Sequence, residues 1–324
     1  MVRNSLRILL GAVIGLGTWT STALAQSYPA RTVTIVVPFG AGGRTDLTAR
    51  GVARALEKHL GRTVAVVNRP GAGGVIGSKA VANAPADGYT AGIFSSAVVS
   101  AQYTVETGTD LKDYRIVGVM EISPAAVSVN YDAAYKSLKD LVAAAKRSPG
   151  QLKFGMIPGA SAQVFAGGFV DAAGVTTNMV PFKDDASGAT ALAGGHIDLH
   201  VAVPASYKAL SDAKKLRMLG VAAEKRMSTF PDVPTMREQG VDLVIGSFHG
   251  LFVPKDTSDA IVATLEAALG KAMQEPDVND QMAKVGLGPV FMGRRDAQAF
   301  VAAQDATYAK LIDKLGLMHA SKKK

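Results

Sequence analysis

The stretch "TVTIVVPFGAGGRTDLTARGVARALEKHLG", residues 32–61, decides the fold class. Its first part, "TVTIVV" (32–37), is β-branched and apolar, as a strand covered on both faces reads. The segment 45–60 then reads as a helix, with Leu47, Val52, Leu56 and Leu60 near one face. Between them lies "PFGAGGRTD" (38–46). Gly40, Gly42 and Gly43 allow a tight turn and close backbone approach, and Thr45 or Asp46 can cap the helix. Such a loop aims free N–H groups and the positive end of a helix at whatever lies beyond the strand, and Arg44 adds a full charge. The loop lacks the Gly-Lys-Ser/Thr ending of a phosphate-binding loop, and Thr45 stands where a dinucleotide fingerprint has Gly or Ala. A carboxylate therefore fits better than a nucleotide. On spacing alone, a carboxylate site and a plain glycine turn weigh evenly.

The same alternation continues outward. "VAVVN" (64–68) reads as a strand, "VIGSKAVANA" (75–84) as a helix and "YTAGIFSS" (89–96) as a strand, and "RIVGVM" (115–120) and "AAVSVN" (125–130) extend the sheet. A second unit begins with the helical "SLKDLVAAAKRSPG" (137–150). It runs through "LKFGMI", "SAQVFAGGFVDAAG", "TNMVPF", "DASGATALAGG", "IDLHVAV" and "KLRMLGVAA" as alternating strands and helices. "FHGLFVP" (248–254) is a returning strand, followed by two long helices, "DAIVATLEAALGKAMQ" and "RDAQAFVAAQDATYAKLIDKLG". Strand–helix repetition implies parallel, doubly wound sheets. The expectation is two α/β domains with a ligand cleft between them: residues 26–128 with 248–324, and residues 129–247. No linker separates them, which places a hinge beneath the cleft.

The N-terminus has Arg3 and Arg7, an apolar "ILLGAVIGLGTW" and a small-residue "STALA" before Gln26. This is the build of a secretory signal peptide over residues 1–25, cleaved near Ala25, and it points to a periplasmic protein of about 299 residues. With no cysteine in the chain, a lipidated cysteine and disulfides are excluded. The formal charge of +8 falls to +3 without Arg3, Arg7 and the terminal Lys322–Lys324. Aromatic residues make up only 6% and no basic stripe is present, so nucleic acid is not an expected partner, while an anionic ligand suits the balance.

Other strand ends offer further candidates. "NRPGAGGVIGS" (68–78) repeats the glycine-turn physics of the first loop. Ser95 and Ser96 offer hydroxyls, equally readable as a serine turn, and Ser161 in "MIPGASAQV" is a plausible N-cap. Asp198 could touch a ligand or brace a facing loop, and the bracing role is the better fit. The five histidines, His59, His196, His200, His249 and His319, show no metal spacing, and no Gly-x-Ser-x-Gly elbow occurs. No metal, cofactor or catalytic residue is expected. The rival readings are an exported hydrolase of an acid ester using Ser95, Ser96 or Ser161, which lacks a visible base, and a ligand sensor of the same fold.

Taken together, "YPARTVTIVVPFGAGGRTD", "VNRPGAGGVIGS", "ADGYT", "VPFKDD", "GGHIDL" and "KRMSTFPDVPTMREQG" closely resemble the substrate-binding receptors of tripartite tricarboxylate transporters, the Bug receptors. The resemblance runs from Tyr28 to the C-terminal helix. It implies a Venus-flytrap receptor, not an enzyme, working as a monomer that passes a small organic acid to membrane permease subunits. It implies that Phe39, Gly40, Ala41, Gly42, Gly43, Arg44 and Asp46 hold a carboxylate from one side. Gly159, Ala160, Ser161 and Gln163 do so from the other, with Ser95, Ser96 and Asp198 at cleft positions. The chain departs from the family pattern at Arg44, where a small residue is usual. It departs also at Ala160 and Val164 in the second loop, at "FKD", and at Phe248 and His249 in place of two aromatics. His249 and Asp184 are expected to add polarity to the cleft.

Overall fold

The computed structural model describes residues 28–158 and 161–322. The expected signal peptide lies outside the described residues, as do Gly159, Ala160, Lys323 and Lys324. The first lobe is built from β1 (Val33–Val37), α1 (Arg44–Leu60), β2 (Val64–Asn68), α2 (Val75–Ala82), β3 (Thr90–Ser95), α3 (Ser96–Thr104) and β4 (Tyr114–Pro124). The chain then crosses into β5 (Ala126–Asn130), α4 (Leu138–Arg147), β6 (Lys153–Met156), α5 (Ser161–Ala173) and β7 (Asn178–Pro181). The second lobe continues with α6 (Asp185–Ala193), β8 (Leu199–Ala202), α7 (Lys208–Asp212) and β9 (Leu216–Val221). It returns through β10 (Gly246–Pro254), α8 (Asp259–Ala272), α9 (Pro276–Lys284), β11 (Pro289–Gly293) and α10 (Arg294–Lys314).

Two sheets result, in the orders β11-β4-β10-β3-β1-β2 and β7-β6-β8-β5-β9. The expected parallel pairing holds for β1 with β2 and β3, and for β6 with β7 and β8. The sheets are nevertheless mixed. The returning β10 enters between β3 and β4 and runs antiparallel to both, and β5 is antiparallel to β8 and β9. A strand that comes back from the other lobe arrives from the cleft end, so its direction is reversed. The sheets exchange strands between Pro124 and Ala126 and again at Gly246, a few residues before the expected boundaries at 128 and 248. The two crossings are bonded together: Ala125 N donates to Ile245 O at 2.9 Å, and Ile245 N to Ala222 O at 3.1 Å. A Cβ at Gly246 would lie 2.5 Å from Pro124 Cα, so only glycine lets them run this close.

Local sequence explains the element ends. α1 stops at Gly61 with φ 64°, whose N–H caps Glu57 O. α4 opens on a capping box between Ser137 and Asp140. Leu47, expected on the apolar face of α1, is half exposed; the buried face is carried by Ala49, Val52, Ala53 and Leu56. Among the C-terminal helices, α8 packs on α1 and β4, and α10 on α3 and β4. α10 also reaches the second: Tyr308 stacks edge-on against Phe165 of α5 at 6.4 Å, and a Cβ at Gly167 would come within 2.4 Å of Leu315.

In the second lobe, α6 presses its backbone on a buried imidazole. A Cβ at Gly188 would sit 2.2 Å from His200 Nε2, and His200 Nδ1 is 2.9 Å from the Tyr207 hydroxyl. Burial lowers the His200 pKa from 6.5 to about 4. Above pH 6.5 the ring is neutral in both states. As pH falls from 6.5 toward 4, the unfolded chain takes up a proton that the folded chain refuses, so stability drops across that window. Urea unfolding at pH 7 and pH 5 is expected to show a loss about 2 kcal/mol larger for the native chain than for His200→Gln. Equal losses would mean that His200 titrates normally.

Candidate functional site

Four helices begin at the edges of the two sheets that face each other. α1 starts at Arg44 after β1, α3 at Ser96 after β3, α5 at Ser161 after β6 and α6 at Asp185 after β7. Side chains show that these starts converge. Arg44 Nη2 donates to Ser247 Oγ at 2.6 Å, and Ser96 Oγ donates to the same oxygen at 3.1 Å. The Tyr308 hydroxyl donates to Gly246 O at 3.1 Å; burial raises its pKa, and Ser96 of the first lobe and Ser161 of the second lie near enough to oppose that shift. The charge of Arg44 is felt at both Tyr308 and Asp185. A helix N-terminus carries a partial positive charge, so four such ends brought together favour an anion between the lobes.

The glycine loop is shaped from behind. Asp46 is 2% exposed and accepts from Gly42 N at 2.9 Å, Arg50 Nε at 3.0 Å and Asn68 Nδ2 at 2.8 Å. Burial works against its ionisation, but those three bonds outweigh it and hold the carboxyl below the usual range. Asp46 was expected at the ligand; its carboxylate instead faces inward and braces the loop, and it engages the Gly42 N–H. Gly42 serves through its φ of 80°, while Gly40, Ala41 and Gly43 are exposed at the loop surface. Phe39 is half buried, and its carbonyl accepts from Asn68 Nδ2 at 3.0 Å. The second glycine loop supports the first: a Cβ at Gly74 would meet the Phe39 ring at 3.1 Å, and one at Gly77 would meet Pro38 Cα at 2.6 Å.

His249 is also corrected. It is fully buried on β10 rather than lining the cleft, with Nε2 2.9 Å from Thr45 Oγ1 and Nδ1 2.7 Å from Glu121 Oε2. Burial lowers its pKa more than Glu121 raises it. Glu121 on β4 is itself 0% exposed. Burial would raise it, but Arg44, whose Nη1 is 3.6 Å away, His249 and the Ser123 hydroxyl together keep it lowered and ionised. Thr45, His249 and Glu121 are connected like a nucleophile, a base and its orienting acid. The imidazole is sealed from solvent and Arg44 shares the carboxylate, so the set serves to fix α1 against β4 and β10.

Asp198 sits at the wrong end of its sheet for the cleft. Its Oδ2 accepts from Lys153 N at 2.8 Å, where β6 begins, whereas the candidate loop follows the end of β6. Asp184, too, is engaged locally: it N-caps α6 by accepting from Ser187 N at 2.7 Å. Ser95 is 3% exposed, precedes α3 as its N-cap residue and has a hydroxyl without a hydrogen-bond partner among the described residues. Ser161 and Gln163 are half buried at the start of α5. Glu121, Ser247, Asp185 and Tyr308 were not anticipated, and Thr45 was read only as a helix cap. Glu121 had a legible signal, a lone acid inside the apolar run "RIVGVMEIS". Among the described residues no group of acids and histidines could hold a metal ion, and no helix is long and apolar enough to cross a membrane. An open groove of about 690 Å³ lies away from these helix starts, between α1 and α9, and one of about 480 Å³ runs beside the crossing strands toward β11, with Gly246 and Ser247 in its lining.

The TctC model of the tripartite tricarboxylate transporter family receptors matches residues 48–317. The chain belongs to this receptor family. BugT of Bordetella pertussis is 31% identical over 97% of this receptor and 98% of its own length. A TctC solute-binding protein from Polaromonas superposes with a TM-score of 0.82 at 32% identity, covering 89% of this chain and 100% of that one. Two proteins from Rhodopseudomonas palustris have the same fold with ligands present. One is Rpa4515 with adipate, at a TM-score of 0.75, 30% identity and coverage of 89% and 98%; the other is MatC with malate, at 0.69, 25% and coverage of 88% and 100%. Periplasmic binding protein architecture is thereby established for this receptor.

The loop geometry is testable without ligand. Asp46→Ala is expected to cost about 2 kcal/mol in denaturant unfolding, since three bonds to a buried charge are lost. Amide exchange measured by NMR is expected to speed up at Gly42. An unchanged Gly42 exchange rate would show that the carboxylate does not hold the loop.

Proposed function

We propose that this receptor captures a small organic dicarboxylate in the periplasm by closing its lobes and delivers it to the membrane permease of a tripartite tricarboxylate-type transporter. The observation that carries the proposal is the convergence of four helix N-termini from both lobes around Arg44, Ser96, Ser161 and Tyr308. In this reading the backbone of Phe39–Arg44 and the Gly159–Gln163 loop take one carboxylate from opposite sides, with Ser95 and Ser96 beside it. A buried carboxylate is tolerated only when its oxygens are hydrogen-bonded, and converging N–H groups provide that. A ligand held by both lobes binds the closed state better than the open one, and this difference is what drives closure. The acids present in the two R. palustris relatives, adipate and malate, are both dicarboxylates and support the class. The receptor acts as a monomer in this reading, with no cofactor.

A thermal-shift screen of mono-, di- and tricarboxylic acids is expected to find a stabilising dicarboxylate, whose affinity calorimetry then measures. Gly42→Val is expected to abolish that binding while costing only about 1–2 kcal/mol of stability, because the added side chain meets open space but is strained at positive φ. Unchanged affinity would remove the loop from the site. The Thr45–His249–Glu121 set gives the hydrolase reading its own test. The native protein is expected to release no alcohol from methyl esters of the bound acid. Ester turnover that Thr45→Ala removes would replace the receptor reading with an enzyme.

A further inference from the structure

On the flank of α1, the groove of about 690 Å³ shared with α9 combines an apolar lining with a charged rim. Val64 and Val66 lie in it, and both belong to β2, the edge strand of the first sheet. Leu47 of α1 and Val285, just past the end of α9, stand 50% and 45% exposed on its walls. Apolar side chains left open together, with polar groups around them, are the mark of a contact surface. The rim is basic. Arg50, Arg54 and Lys284 face a single acid, Glu57, which is already occupied in accepting from Val64 N at 2.9 Å. Arg54 donates to the neutral Gln281 at 2.9 Å, and neither Arg54 nor Lys284 has an ion pair among the described residues. Arg50 ties the groove to the glycine loop: its Nε donates to Asp46 at 3.0 Å, and Asp46 in turn holds Gly42 N at 2.9 Å.

Charge decides between the occupants. A second copy of this chain would set the same cations face to face. The chain's own ends outside the described residues are basic as well, with Arg3 and Arg7 at one and Lys323 and Lys324 at the other. Like charges across an interface are costly, so each of these occupants is disfavoured. We propose that the groove between α1 and α9 is the surface on which the receptor docks to the membrane permease, taking a permease segment that combines apolar with acidic side chains. The inference rests on the delivery reading and adds the place of contact to it. The apolar side chains of that segment would bury Leu47 and Val285, and its carboxylates would pair with Arg54 and Lys284. Burial of this kind supplies affinity, while rim charges supply orientation and choice of partner. A partner seated here grips the helix that carries the glycine loop, which is where a protein that receives the cargo has to act.

The test places the photoreactive residue benzoylphenylalanine at Val285 of the full-length receptor, expressed in the bacterium that encodes it, and irradiates the cells. The expected product is a cross-link to a membrane-spanning protein, mapped by mass spectrometry to a segment with aspartate or glutamate among apolar residues. Arg54→Glu with Lys284→Glu is expected to cut the yield about tenfold or more, because the reversed rim repels those acids. Lys146→Glu with Arg147→Glu on α4 makes the same change in net charge on the second lobe and is expected to leave the yield unchanged. Melting curves report whether each variant folds. Arg54→Gln with Lys284→Gln, which adds no charge, stands in if the reversal unfolds the protein, and a severalfold loss is expected from it. A cross-link to a second copy of the receptor or to a soluble protein, no cross-link at all, a yield that the rim substitutions leave intact, or an equal loss from the α4 pair would each overturn the inference. The carboxylate reading is decided separately, by stabilisation in the screen of acids, so the failure of one is told apart from the failure of the other.

Discussion

Glu121 is the carboxylate around which the cleft is organised. It has no contact with solvent, and a bare charge there would be prohibitive. It remains ionised because Arg44 comes from the start of α1, His249 from β10 and Ser123 from its own strand. Those partners belong to the glycine-loop helix and to the two strands that cross between lobes. Satisfying one buried charge therefore sets the position of the loop relative to the hinge. A buried ion pair of this kind adds little net stability compared with apolar packing, yet losing one partner would be expensive. Its value lies in permitting a single arrangement of α1, β4 and β10.

Around that centre the loop residues divide their work by direction. Asp46 and His249 turn inward and hold the backbone in place, while the exposed Gly40, Ala41 and Gly43 present the chain itself. The second glycine loop is part of the same support, because its missing side chains let α2 press against Pro38 and Phe39. Stiff backing matters for an anion site made of main-chain amides. Each N–H is worth most when its orientation has been paid for during folding rather than at binding. Family and fold are shared with proteins that hold different acids, adipate in one and malate in another. Arg44 and the "FKD" stretch ending at Asp184 are where the sequence reading sets this chain apart from the family pattern.

α10 gives the two lobes a second connection besides the crossing strands. Tyr308 meets Phe165 of α5 and bonds Gly246 O at the crossing, and Leu311 and Leu315 pack on the glycine pair of α5.

Much of the architecture was legible in the sequence because it depends on near neighbours. Alternation of apolar strands with amphipathic helices, glycines at strand ends and the returning strand at 248–254 follow from periodicity and turn chemistry. α9 and β11 were not read, since their polar or short apolar stretches carry weak periodic signals. The reversed directions of β5 and β10 were not legible either, because strand direction is set by the path between lobes. The candidate loops could be named, but the roles within them could not. Asp46, His249 and Asp198 have the composition of ligand-binding groups, and the structure gives each a backbone or side-chain partner within the protein. Whether a polar side chain faces a ligand or braces a loop depends on residues distant in sequence, such as Glu121 for Arg44 and Ser206 for Asp185. Local sequence determined where the backbone could turn and bind; only the tertiary structure decided which side chains remained unpaired beside it, because pairing is settled by contacts between elements that approach only when the lobes fold.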